Sequence, residues 1–176
     1  MKWINILVLA VATVIVTVVL YEPAYVAFYK IKEPYFKSPL KMRSKPIIIR
    51  HDLRGSGEFR AKRRNGRAHT GIDIEAPLGT PVYASKSGIA FAGNVPTGYG
   101  KYVMIYHPDG CQTIYGHLSN WNVVSTKKVR QGESIGFVGK TGNAAHKSIK
   151  AHLHFEIRKL GEPQDPLRLM KRRRRL

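Results

Sequence analysis

The sequence predicts a compact antiparallel all-β domain preceded by one apolar helix. Three observations carry this expectation. From Pro46 to Gly161 no stretch sustains a helical period, whereas short apolar alternations recur between glycine-containing turns. Tyr102–His107 and Cys111–Tyr115 flank Pro108-Asp109-Gly110, a hairpin signal. Ile4 to Leu20 form an apolar run interrupted only by Asn5, Thr13 and Thr17.

That first run reads as a membrane anchor over residues 1–24, with Trp3 and Tyr21 where interfacial aromatics sit. Its length is at the short end for a helix crossing roughly 30 Å of hydrocarbon. A cleaved signal peptide is the rival, but bulky Tyr25 stands two residues before Ala27, where a small residue is needed. Lys2 on one side against Lys30, Lys32 and Lys37 on the other points the body of the chain to the cytoplasm. That signal is weak, because the nine residues after the run carry no positive charge.

Residues 25–45 are basic, contain prolines and lack a period, which reads as a linker. Residues 46–168 hold the β domain. Within it Ile72 and Ile74 alternate with Gly71 and Asp73, and Leu153, Phe155 and Ile157 alternate with His152, His154 and Glu156. Residues 169–176 form a basic tail that is either solvated or an electrostatic clamp on lipid or nucleic-acid phosphate.

The chain has 30 Lys and Arg against 11 Asp and Glu, a net charge of +19 that favours polyanionic surroundings. Five cations (Arg60, Lys62, Arg63, Arg64 and Arg67) crowd the approach to His69. They read either as a solvated loop or as the rim of a groove for carboxylate-rich peptides. Cys111 is the single cysteine, which excludes an intramolecular disulfide and a thiolate zinc site.

Two clusters carry chemistry. In His69-Thr-Gly-Ile-Asp73 the period-two geometry of a strand puts His69, Gly71 and Asp73 on one face, and Gly71 leaves room over the backbone. In His152-Leu-His154-Phe-Glu156 two imidazoles and a carboxylate share a face. Nitrogen and oxygen donors of this kind suit zinc, and a catalytic zinc site uses three protein ligands plus an open position. There are more candidates than three, so surplus histidines are available as acid or base. Glu156 is either a partner of a ligand or a plain strand residue, and Tyr99 and Tyr102 read more readily as cross-strand packing than as groove lining.

These residues resemble the lysostaphin-type (LytM-like) zinc endopeptidases, which act on peptidoglycan. The segment His69-Thr-Gly-Ile-Asp73-Ile-Glu-Ala-Pro77-Leu-Gly79-Thr-Pro81-Val82 is similar to the family's first signature. Tyr115-Gly-His117-Leu-Ser119 is similar to its middle motif. Gln131-Gly132 to Gly136 and Gly139 to Gly142 resemble its glycine-rich approach, and His152-Leu-His154-Phe-Glu156 its last signature. The resemblance covers roughly Gly55 to Pro166. It implies an open groove floored by strands, one zinc ion held by His69, Asp73 and His154, and catalytic histidines at His117 and His152, either of which can be the general base. It implies a peptidoglycan peptide as substrate and a catalytic domain on the wall side of a membrane; no obligate protein partner is evident in the sequence. A bacterium remodelling its wall and a bacteriophage particle with a membrane are both compatible contexts. The competing class is a non-enzymatic, basic, membrane-associated interaction protein that uses the β domain as a scaffold.

Overall fold

The computed structural model describes residues 2–41, 46–63 and 66–170. Of the basic tail expected over 169–176, solvated or a clamp on phosphate, residues 171–176 lie outside the described residues, as does Arg64.

Helix α1 (Lys2–Lys32) has 31 residues, about 46 Å at roughly 1.5 Å per residue, and is long and apolar enough to cross a membrane. Its two threonines do not expose hydroxyls to an apolar surround. Thr13 Oγ1 donates to the Leu9 carbonyl and Thr17 Oγ1 to the Thr13 carbonyl, each at 2.8 Å. The helix passes through Pro23, which removes one backbone donor, and continues over residues expected to be linker. The second compact unit begins at Tyr35, and Phe36 and Leu40 are buried in its core. Over its described part, 25–41, the expected linker is helix to Lys32 and then packs Phe36 and Leu40 into the β domain. Its basic residues obscured the apolar anchors between them.

The β domain follows the expected alternations. A small hairpin, β1 (His51–Asp52) and β2 (Gly55–Ser56), comes first. Then come β3 (Ile72–Glu75), β4 (Pro81–Tyr83), β5 (Gly88–Asn94), β6 (Lys101–Tyr106), β7 (Cys111–Trp121), β8 (Lys128–Val129), β9 (Ser134–Val138), β10 (His152–Lys159) and β11 (Glu162–Gln164). These nine strands make one antiparallel sheet whose main path runs β11-β10-β7-β6-β5-β8. Strand β3 adds to β10, while β9 joins β7 and carries β4. The β6–β7 hairpin turns at the expected Pro-Asp-Gly, with Gly110 at φ +79°, where a side chain would be strained. A four-residue helix, α2 (Pro166–Leu169), ends the described chain. Asp165 caps it through a bond from the Leu167 amide, and proline starts it.

Ile72, Ile74, Leu153, Phe155 and Ile157 are fully buried on one face, as their parity predicts. Pairing of β10 with β3 sets His154 opposite Asp73 and His152 opposite Glu75, and pairing of β10 with β7 sets His154 opposite Gly116. The opposite face of the core strands thus collects the polar residues of both signatures. The room over Gly71 is filled by β10: a Cβ there would lie 2.3 Å from the Phe155 carbonyl oxygen. Glycine at this position serves strand approach.

Candidate metal centre

Nε2 of His69, Oδ1 of Asp73 and Nδ1 of His154 lie 2.8 to 3.1 Å from one another. All three side chains are buried and line a cleft of about 460 Å³. With metal–ligand distances of about 2.0–2.1 Å, the edges of a tetrahedral zinc site are roughly 3.3 Å, so this triangle needs only slight expansion to accept the ion. Two imidazole nitrogens and one carboxylate oxygen fit zinc.

Each donor atom is set by a second contact. His69 Nδ1 lies 2.8 Å from the Glu58 carbonyl. A carbonyl only accepts, so Nδ1 carries a proton there and Nε2 is the atom turned toward Asp73 and His154. Asp73 Oδ2 is held by Arg50 Nη2 and Arg63 Nη2, both at 3.0 Å, which leaves Oδ1 facing the histidines. Burial alone raises the Asp73 pKa, but hydrogen bonds from His154 and His69 reverse this and hold it well below the usual carboxylate range.

His154 is bracketed by two carboxylates, with Nδ1 2.8 Å from Asp73 Oδ1 and Nε2 2.9 Å from Glu156 Oε1. Burial disfavours its charged form, yet these two acceptors raise its pKa to about 9. Nδ1 is the atom that faces Asp73 and His69, and a metal bound there would require it to be free of a proton.

Glu156 is fully buried. Its Oε1 accepts from Thr70 Oγ1, from Tyr99 Oη at 2.8 Å and from His154, while Oε2 accepts from Arg158 Nε at 2.8 Å. Burial raises its pKa, but His154 and its other donors lower it on balance. Of the two readings the sequence left open, Glu156 is the partner of a site imidazole. Tyr99 lines the cleft and donates to that carboxylate, whereas Tyr102 lies over Gly93 on β5. Parity shows that Glu156 faces His154, but Tyr99 comes from a loop and carries no such signal.

His117 and His152 flank the triad. Their ring centroids are 4.9 Å apart, and His117 is 5.6 Å from His154. His152 Nδ1 lies 2.7 Å from the Lys150 carbonyl and His117 Nδ1 2.9 Å from the Thr141 carbonyl, so each ring has a proton on Nδ1 and a lone pair on Nε2. Burial, with the neighbouring imidazoles second, pushes the His117 pKa down to about 3. Burial likewise lowers His152, against the opposing charge of Asp73.

His117 reaches this face by a backbone irregularity. Tyr115 is in the core, and strict alternation would send His117 there too. Instead the β6–β7 register shifts by one extra residue on β7, and His117 adopts φ +61°. The bulge breaks the alternation and turns the ring into the cleft.

A sequence model of peptidase family M23 matches residues 67–166, more than half of the chain. The chain belongs to peptidase family M23. Over 101 residues it is 48% identical to the DD-carboxypeptidase/endopeptidase Mpg of Neisseria meningitidis, a match covering 57% of this chain and 22% of that protein. A zinc-containing peptidase from Vibrio cholerae superposes with a TM-score of 0.61 at 29% identity, covering 80% of this chain and 41% of that one. The catalytic domain of lysostaphin from Staphylococcus simulans superposes at 0.57 with 30% identity, covering 70% of this chain and 92% of that one. This M23 chain spans between 15% and 38% of the length of the curated relatives it matches. The shared part holds all five histidine and aspartate positions singled out above.

Proposed function

We propose that this M23 chain is a zinc-dependent endopeptidase that hydrolyses amide bonds in the peptide part of bacterial cell wall. One observation carries the reading: the His69–Asp73–His154 donor triangle is flanked by two histidines whose Nε2 lone pairs are left available by backbone acceptors. A purely structural metal site would be closed by a fourth protein ligand and would not need such bases. A binding scaffold has no use for either.

In this reading His69 binds zinc through Nε2, Asp73 through Oδ1 and His154 through Nδ1. Zinc held there polarises the scissile carbonyl and makes a bound water acidic near neutral pH. His152 takes a proton at Nε2 and passes it to the departing amine, with the Lys150 carbonyl fixing its ring. His117 holds the same face from β7, orienting the attacking water or receiving a hydrogen bond in the transition state. Glu156 fixes the tautomer and orientation of His154. Arg50 and Arg63 hold Asp73 Oδ2 and so aim the carboxylate at the metal position through Oδ1.

The bond we assign is the one between D-Ala and diaminopimelate rather than a glycine bridge, because the cleft walls are cationic and a glycine bridge carries no charge. We place the anchor at α1 and the peptidase at the β domain, acting on the wall side of a membrane. That arrangement serves a bacterium's own wall or a phage that breaches it. The test is purified cell wall incubated with the full chain in detergent and zinc. Release of peptide fragments that stops with chelator and with His154→Ala is expected. No release, or release undiminished in His154→Ala, refutes the proposal.

A further inference from the structure

The cleft walls carry three guanidinium groups, Arg50, Arg54 and Arg63, against one carboxylate, Asp73. Arg50 and Arg63 are committed to Asp73 Oδ2, and Arg50 Nη1 also lies 2.6 Å from Asp52 Oδ2. Arg54 is different. Its Nε donates to Ser148 Oγ at 3.4 Å and its Nη2 lies 2.6 Å from His146 Nε2, neither of them a carboxylate. Once Asp52 and Asp73 are set against two of the arginines, the third charge has no carboxylate partner among the described residues that line the cleft, before any divalent ion is added.

Arg54 also has a defined place. It stands in the turn of the β1–β2 hairpin and reaches side chains more than ninety residues away, in the segment after the 3-10 helix Gly142–Ala145. A bond from the Lys150 amide to Asp52 Oδ2, at 3.2 Å, fastens the same two segments. Both line the cleft, the hairpin side through Arg50 and Arg54, the other through Asn143 and Ile149. They meet at one side of the cleft, and the junction is cationic. Within the buried part of that junction, Arg50 Nε has no hydrogen-bond partner.

Resting on the peptidase reading above, we propose that Arg54 binds the free C-terminal α-carboxylate of the substrate peptide, so that the cleft selects peptides ending a short distance from the scissile amide. A guanidinium presents a planar pair of donors that matches a carboxylate, and a charge-assisted pair is stronger than the Ser148 hydroxyl contact it would replace. A peptide that continues through this junction, or ends in a carboxamide, cannot supply that charge.

The test uses zinc-loaded full chain and a fluorescently labelled cross-linked dimer, in which the D-Ala of one L-Ala-γ-D-Glu-diaminopimelate-D-Ala stem is joined to the diaminopimelate amine of a second stem that ends in D-Ala. One set is the free acid and its C-terminal carboxamide. A second keeps the terminal acid and amidates the diaminopimelate side-chain carboxylate. Equilibrium binding by anisotropy is read alongside hydrolysis. A charge-assisted bidentate pair predicts that the free acid binds ~10- to 100-fold tighter than the terminal carboxamide. Arg54→Gln should remove most of that preference, leave carboxamide binding within about twofold, and be partly rescued by Arg54→Lys. Arg54 is exposed, so these variants are expected to fold. Equal binding of acid and carboxamide by the wild type overturns the proposal. So does a preference that follows the diaminopimelate carboxylate, or one that survives in Arg54→Gln. Discrimination in binding without hydrolysis leaves the carboxylate site standing and refutes the peptidase reading instead.

Discussion

Glu156→Gln removes one charge and almost no volume from a fully buried position behind a proposed zinc ligand. In the wild type, three donors converge on Oε1 (His154 Nε2, Thr70 Oγ1 and Tyr99 Oη) and Arg158 Nε reaches Oε2. The amide oxygen of glutamine can serve the first group, but its NH₂ then faces Arg158, donor against donor. The His154 bond changes from charge-assisted to neutral, a loss of about 1–1.5 kcal/mol, or roughly tenfold in affinity. The misplaced Arg158 contact adds to this, so zinc Kd should rise ~10- to 100-fold, the usual range for partners behind a metal ligand. The assay is zinc competition against a chromophoric chelator, with circular dichroism to verify the fold. The zinc-dependent rise in Tm should shrink in parallel, because ligand stabilisation follows free ligand over Kd. A folded Glu156→Gln protein whose zinc Kd moves less than threefold would refute the claim that this carboxylate tunes the metal through His154.

Other outcomes follow from the same geometry. His152→Ala should retain zinc and the fold while kcat falls ~10²- to 10⁴-fold, and metal content measured beside turnover would expose the opposite pattern. Gly71→Ala places a methyl against the backbone of β10, which cannot retreat without moving His154; a loss of about 1–3 kcal/mol in urea unfolding is expected, and an unchanged midpoint would contradict the close approach. Lys86 Nζ and Asp109 Oδ2 form a buried pair at 2.7 Å. Burial raises the Asp109 pKa, but the bond from Lys86 lowers it overall, so its stabilisation is present above the unfolded value near 3.9 and fades as pH falls through the folded one. Asp109→Asn should therefore cost about 3–5 kcal/mol at neutral pH, with the gap to wild type closing in strong acid, as measured by denaturant titrations across pH.

Much of this was legible because strand parity is a strict rule. His152, His154 and Glu156 alternate with core residues, so their common face could be read directly. His69 precedes β3, and its meeting with Asp73 comes from the bend at Thr70–Gly71 rather than from strand parity. The β6–β7 hairpin was legible for a similar reason, its turn residues standing between two apolar runs. The placement of His117 follows from no local pattern, since a bulge and a positive φ reverse its parity. Its role came from resemblance alone. Arg50 and Arg54 escaped notice because their contacts with Asp73 and with residues 146–148 span long sequence separations. Phe36 and Leu40 were hidden differently, as isolated apolar residues in a basic, proline-containing stretch show no period even when both are buried.

Main-chain carbonyls, those of Glu58, Thr141 and Lys150, fix the proton on three of the four imidazoles in the cleft. Every residue supplies a carbonyl, so substitutions at these three positions leave the acceptors in place. The imidazoles are thereby insulated from drift in the sequence around them. The vulnerability lies in chain length: a one-residue insertion or deletion near residue 58, 141 or 150 would move the acceptor and scramble the tautomer, while many point changes at the same places would pass unnoticed.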